Sequence, residues 1–79
     1  MLIGIKSKIK KAQSLTSEER QKAFVELIDN AKPKDCITIY VESGEDSSVK
    51  HILSEKVKTL FTSGDTNDYF DASIIINNF

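Results

Sequence analysis

The sequence places a single cysteine, Cys36, in a chain of only 79 residues. One cysteine forms neither an internal disulfide nor a thiolate zinc cluster, so stability must come from apolar packing. A chain of this length buries about 60 to 65% of the surface that it exposes when unfolded. We therefore expect one domain, residues 1–79, with a thin core and little room for an enclosed catalytic cleft.

The apolar runs are short, and this bears on where the protein resides. The longest, such as Ile74-Ile75-Ile76, fall far below the roughly 18 residues that cross a bilayer. The first residues lack the order of charge and apolar stretch that a secretory signal requires. We expect no transmembrane helix and no membrane partner, and a cytoplasmic location that agrees with the lone cysteine.

Positive charge is concentrated at the start of the chain. Residues 1–12 form a basic N-terminal segment without an acidic residue, and its cations are Lys6, Lys8, Lys10 and Lys11. The segment fits two structures, a short strand at residues 2–6 or a basic amphipathic helix at about residues 3–13. The sequence pI is 5.7, whereas a whole-domain nucleic-acid binder usually exceeds about 9.

Two helices are predicted from periodicity. The first begins at Thr16, which forms a capping-box pattern with Glu19, and it ends before Pro33. Its apolar stripe is Ala23, Phe24, Leu27, Ile28 and Ala31. The second runs from about Ser48 to about Thr62, and its stripe is Val49, Ile52, Leu53, Val57, Leu60 and Phe61.

Two strands are predicted from composition. Residues 36–42 are rich in β-branched side chains that alternate, and residues 72–77 contain the run of isoleucines. A strand, a helix and a strand in this order favour a right-handed βαβ crossover. The predicted fold is therefore α/β, a sheet of two to three strands with two to three helices packed on it. An α+β fold with antiparallel pairing is the alternative.

This fold places a candidate binding edge at the loop of residues 43–48, where open α/β sheets bind ligands. We expect Arg20, Glu45, Asp46 and Phe79 to lie at this edge. Arg20 and Lys56 both fall on the apolar stripes of their helices. Either their long aliphatic portions lie along apolar surface with the charged groups in water, or that face of the helix contacts a partner. The predicted partner-binding residues are Arg20, Lys56, Glu45, Asp46 and Phe79.

The side chains required for catalysis or metal binding do not converge. In the predicted fold, Cys36 and the only histidine, His51, stand at opposite ends of the sheet. The acidic segment 65–71 is predicted to be a loop, and it lacks the oxygen ligands and glycine of a calcium site. No nucleophile elbow, phosphate loop or dinucleotide fingerprint occurs. We expect no catalytic residue, no metal site and no cofactor.

The resulting hypothesis is a small interaction module, a regulator or inhibitor that binds a larger protein. A bias toward Ile, Lys, Ser and Asp is typical of A+T-rich coding, which suggests a phage or bacterial accessory protein by association only. The alternative is a nucleic-acid or ribosome-associated protein that uses Lys6, Lys8, Lys10 and Lys11. Homodimerisation stays open, because a short sheet gains by pairing its edge.

Overall fold

Five helices make up the structure, a computed structural model that describes residues 4–79. The helices are α1 (Ile5–Gln13), α2 (Ser17–Asp29), α3 (Pro33–Ser43), α4 (Ser47–Thr62) and α5 (Thr66–Ile76). Within residues 4–79 there is no strand, and 79% of the structure is helical. The predicted α/β or α+β fold with a small sheet is therefore wrong.

A single apolar cluster holds the helices together, with α3 and α4 at its centre. Helix α3 packs against α1, α4 and α5, while α4 packs against α2, α3 and α5. All five helices contribute fully buried side chains to the cluster, among them Ile9, Phe24, Ile39, Leu53 and Ile75. The helices have 9 to 16 residues, and isolated helices of such lengths are at best marginally stable in water. Burial in this cluster is therefore what stabilises each helix.

Helix α3 replaces the first predicted strand, residues 36–42. Pro33 is the first residue of this helix, where its missing N–H costs nothing, rather than the stop signal after α2. Cys36, Ile39 and Ser43 are buried at offsets of three and four residues. Since β-branched residues cost only about 0.7 kcal/mol or less each in a helix, burial of this stripe outweighs the strand propensity.

Helix α5 replaces the second predicted strand, residues 72–77, and part of the predicted loop before it. The Asp65 side chain accepts hydrogen bonds from the Asn67 and Asp68 amides and so caps the helix. Ala72 and Ile75 are buried, whereas Ile74 and Ile76 are exposed. The isoleucine run is therefore not buried on both sides as predicted.

The two predicted helices are present. The apolar stripe of α2 packs as expected, with Phe24 and Ile28 buried. Thr16 takes the N-cap position of α2, but its side chain makes no capping hydrogen bond, so the reciprocal capping box with Glu19 is wrong. In α4, Val49, Leu53 and Val57 are buried, while Phe61, at the end of the stripe, is exposed.

The basic N-terminal segment adopts the helical alternative over the residues described. Ile9 and Ala12 of α1 are buried, and Ile5 packs against the core. The amide of Gln13 donates to the hydroxyl of Ser43 at 2.7 Å, which satisfies the buried Ser43 and fixes α1 against α3. The alternative strand at residues 2–6 lies partly outside the described residues, and Ile5 and Lys6 are helical.

Candidate interaction surface

Arg20 and Asp46 meet at the start of α4, whereas the sequence analysis placed them at the edge of a sheet that residues 4–79 do not form. Their charged groups are 3.7 Å apart and both side chains are partly exposed, so the pair contributes about 1 kcal/mol or less. Asp46 also accepts the Ser48 amide at 2.9 Å as the helix N-cap. This carboxylate thus takes the position that a bound anion would need between Arg20 and the helix amides.

Lys56 extends from α4 to the carboxyl end of α2. Its ammonium donates to the carbonyl oxygens of Ile28 at 2.5 Å, Ala31 at 2.8 Å and Asp29 at 3.3 Å. The carbonyl oxygen of Ile28 also accepts the Ala31 amide at 3.1 Å, and the helix dipole makes this end of α2 negative. The position of Lys56 on an apolar stripe is therefore explained by a contact inside the chain.

Phe79 and Glu45, the other two predicted partner-binding residues, lie beside the end of α3. The ring of Phe79 stacks on Tyr40, with centroids 4.3 Å apart and planes inclined at 25°. A Cβ on Gly44 would collide with the Tyr40 carbonyl oxygen and ring, which shows how closely this turn approaches the stack. Glu45 follows in the same turn and is exposed.

The lysines of the nucleic-acid alternative all lie on the exposed part of α1. Lys6, Lys8, Lys10 and Lys11 are exposed, whereas the apolar face of the helix is buried. Lys6 is 3.8 Å from Glu42 of α3. Lys8 and Lys11 border a shallow groove of about 400 Å³ between α1 and α2.

Cys36 is sequestered from the groups that would activate it. It is fully buried in α3, while His51 is exposed on α4. Burial raises the pKa of the Cys36 thiol, an effect that the positive charge of Lys56 opposes and the negative charge of Asp35 reinforces. The thiol therefore stays protonated at neutral pH and is a poor nucleophile. In the part of the chain that the structure describes, no three metal-ligating side chains come together.

The turn between α4 and α5 forms an open aromatic groove that the sequence analysis did not predict. It has a volume of about 340 Å³, and its lining residues are Phe61, Gly64, Asp65, Thr66, Tyr69 and Phe70. The exposed fractions of the three aromatic residues are 37% for Phe61, 56% for Tyr69 and 62% for Phe70. Phe61 and Tyr69 meet edge to face, with centroids 5.1 Å apart. Half of the six aromatic residues of the chain thus line one groove.

The exposed apolar surface continues along α5. Ile74 lies one turn beyond Phe70 and is 48% exposed, and Ile76 is 47% exposed. Ala72 and Ile75 face the core, and about half of the surface of Ile74 and of Ile76 stays accessible to solvent. Ile76 stands two residues after Ile74 and therefore lies on a different side of the helix. We call the surface formed by Phe61, Tyr69, Phe70 and Ile74 the α5 face.

Two signals in the sequence could have identified this groove. Asp65 stands three residues before Asp68, which is typical of a helix N-terminus. Gly64 has a φ of 83° just after α4, the left-handed conformation in which glycine commonly ends a helix. Once α5 is helical, a period of 3.6 residues places Phe70 and Ile74 opposite Ala72 and Ile75.

Comparison with known proteins does not assign the chain to a family. No family model matches it, and neither curated proteins nor solved structures give a significant match. Over residues 4–79, no helix has the length and apolar character needed to span a membrane. The α5 face and the groove are therefore interpreted from their own chemistry.

Proposed function

We propose that this protein is a small cytosolic interaction module, a regulator or inhibitor that binds a larger protein through the α5 face. The observation that carries this proposal is the exposure of Phe61, Tyr69 and Phe70 around one groove. Aromatic residues are enriched at protein interfaces, where they supply large contact areas for little loss of side-chain freedom. A binding role, rather than catalysis, is the function that this surface supports.

The fold supports the proposal because the described part of the chain leaves apolar side chains of α5 exposed to solvent. A helix that is apolar on several sides is usually covered on several sides. Helix α5 packs on α3 and α4 through Ala72 and Ile75, and it leaves Phe70, Ile74 and Ile76 in water. Exposed aromatic residues that line one groove, as Phe61, Tyr69 and Phe70 do, mark an interaction site.

Capture of the partner tests the proposal. The experiment immobilises the wild-type protein, Phe70→Ala and Val25→Ala, and exposes each to the same extract of the source cells. Mass spectrometry then identifies the proteins that each one retains. Val25 is a matched control because it is exposed on α2 and lies outside the groove. We expect Phe70→Ala to lose the retained partner and Val25→Ala to keep it, since a central aromatic contributes about 2 kcal/mol or more at an interface. Equal retention by both variants would contradict the proposal.

A second candidate function, nucleic-acid or ribosome binding, is favoured by the four exposed lysines of α1. Such binding would be weak and salt-dependent. Deletion of the segment is not a clean test, because Ile9 and Ala12 belong to the core. Replacement of Lys6, Lys8, Lys10 and Lys11 by Gln keeps the core intact. The matched control replaces four exposed lysines elsewhere, Lys22, Lys34, Lys50 and Lys58. RNA retention lost only in the first variant would favour this candidate.

A further inference from the structure

We propose that the α5 face binds a positively charged amphipathic helix of the partner, with apolar side chains in the aromatic groove and Lys or Arg beside it. This inference rests on the proposed function and specifies the chemistry of the partner. It follows from the charge around the groove, the shape of the α5 face, and the exclusion of other occupants.

The residues that follow α4 carry negative charge only. Lys58 is the last cation of the sequence, and the residues after it contain three acids, Asp65, Asp68 and Asp71. Asp65 lines the groove itself. Its Oδ1 atom accepts the Asn67 amide at 2.7 Å, so the carboxylate is held in a fixed position at the groove. A guanidinium or ammonium group beside these carboxylates gains ion pairing, and it also gains attraction to the faces of Tyr69 and Phe70.

The shape of the α5 face suits a helix. Helix α5 has 11 residues, which corresponds to about 16 Å, or three turns. Phe70 and Ile74 are one turn apart and form a ridge along the helix. Such ridges pack into the grooves of a neighbouring helix, and amphipathic helices commonly bind in this way through anchors spaced three and four residues apart.

Other occupants fit the charge less well. Nucleic acid and anionic lipid carry negative phosphates that Asp65, Asp68 and Asp71 would repel. A second copy paired through the same face would bring two sets of these aspartates together, which is unfavourable. The lysine-rich α1 of a second copy cannot supply apolar anchors, because Ile9 and Ala12 are buried in its own core.

Binding to two designed peptides tests the inference. Both are helical, with the same leucines on one face; the polar face carries Lys and Arg in the first peptide and Glu in the second. Fluorescence anisotropy of labelled peptide measures the dissociation constant. We expect the cationic peptide to bind at least about tenfold more tightly, with affinity that falls as salt rises.

Variants of the protein separate charge from apolar contact. Replacement of Asp65, Asp68 and Asp71 by Asn keeps side-chain size, and Asn retains the N-cap function at position 65. We expect this triple variant to bind the cationic peptide about tenfold more weakly at low salt. Phe70→Ala should abolish measurable binding, whereas Val25→Ala should bind like the wild type.

The outcomes distinguish this inference from the proposed function. If the triple variant and the wild type bind both peptides equally while Phe70→Ala fails, the surface is a docking site but the charge inference is wrong. If Phe70→Ala and Val25→Ala bind alike, or if the wild type does not bind the cationic peptide, the inference is overturned. Sedimentation of the free protein completes the test: a dimer that Phe70→Ala converts to monomer would show that a second copy covers the face.

Discussion

At the scale of single residues, Lys56 shows how one side chain joins two helices. Its ammonium binds carbonyl oxygens at the end of α2, including those of Ile28 and Ala31, while its backbone belongs to α4. The contact combines hydrogen bonds to a charged donor with a favourable position at the negative end of the helix dipole. A cation on an apolar stripe can therefore indicate a helix cap supplied from a neighbouring helix.

Replacement of Lys56 by Met tests this role. The variant keeps most of the apolar stem but removes the ammonium, so the carbonyls of Ile28, Asp29 and Ala31 lose a charged donor, while Ile28 still accepts the Ala31 amide. We expect the free energy of unfolding to fall by about 1 to 3 kcal/mol, measured by urea denaturation. Lys58→Met on the exposed side of the same helix is the control and should change stability by less than about 0.5 kcal/mol. Equal effects of the two substitutions would contradict the capping role.

The buried thiol of Cys36 makes stability depend on alkaline pH. Burial raises its pKa above the ordinary value of 9.0, so the folded state holds the proton more tightly than the unfolded state. The resulting stabilisation is fully present below the unfolded pKa and is lost as pH rises through the folded pKa. We expect the free energy of unfolding to fall more steeply above about pH 9 in the wild type than in Cys36→Ala.

Denaturation of both proteins across the alkaline range measures this difference. The two proteins differ only at position 36, so the difference in slope isolates the contribution of Cys36. Parallel pH profiles would show that the thiol does not titrate differently in the folded state. As an independent check, a thiol reagent should label native Cys36 far more slowly than the urea-unfolded chain, because the side chain is buried.

At the scale of secondary structure, α5 permits a test against the strand buried on both faces that the sequence predicted for the isoleucine run. In the helix, Ile75 is buried while Ile74 and Ile76 are about half exposed. Ile75→Ala should therefore cost about 2 to 5 kcal/mol, and Ile74→Ala and Ile76→Ala about 0.5 kcal/mol or less each. Thermal and urea unfolding of the three variants measure the pattern. A large effect at Ile74 or Ile76 would contradict the helical placement.

The sequence was sufficient to predict α2 and α4 because both have long, regular apolar stripes. It was not sufficient for α3 and α5, where the residues that favour strands are also the ones that must be buried. Ile39 and Ile75 are buried whichever structure the segment adopts, so composition alone cannot distinguish helix from strand. The residues that begin and end helices were more informative. Pro33 begins α3, Gly64 follows the end of α4, and Asp65 caps the start of α5.

The prediction of candidate sites also depended on the secondary structure assigned to each segment. Arg20 and Asp46 were both placed at the edge of a sheet that the described residues do not form, and the ion pair between them was not predicted. The aromatic groove was missed because Tyr69 and Phe70 were assigned to the end of a loop. A strand would place Phe70, Ala72 and Ile74 on one side, whereas a helix places Phe70 and Ile74 on the side away from Ala72. A correct local structure was thus a precondition for recognising the surface.

At the scale of the whole molecule, the small thickness of the folded protein explains why an apolar face stays exposed. The extents are 35 × 29 × 18 Å, and the shortest is close to the thickness of two packed helices at about 10 Å each. A third layer that could cover the outer side of α5 is therefore missing among the described residues. In a chain of 79 residues, surface left in this way is available for a partner at little structural cost.

The single core also predicts how the molecule unfolds. Because all five helices contribute to one apolar cluster, loss of any one exposes side chains of its neighbours, and no helix has a separate core. We expect one cooperative, two-state transition in urea and on heating. Far-UV circular dichroism reports helix content, and tyrosine fluorescence reports the contacts of Tyr40 with Phe79 and of Tyr69 with Phe61. The two signals should give the same midpoint, and Ile75→Ala should lower both midpoints together. Loss of the tyrosine signal before helix content would instead mean that α5 and the chain end detach first, and that the α5 face belongs to a separately melting unit.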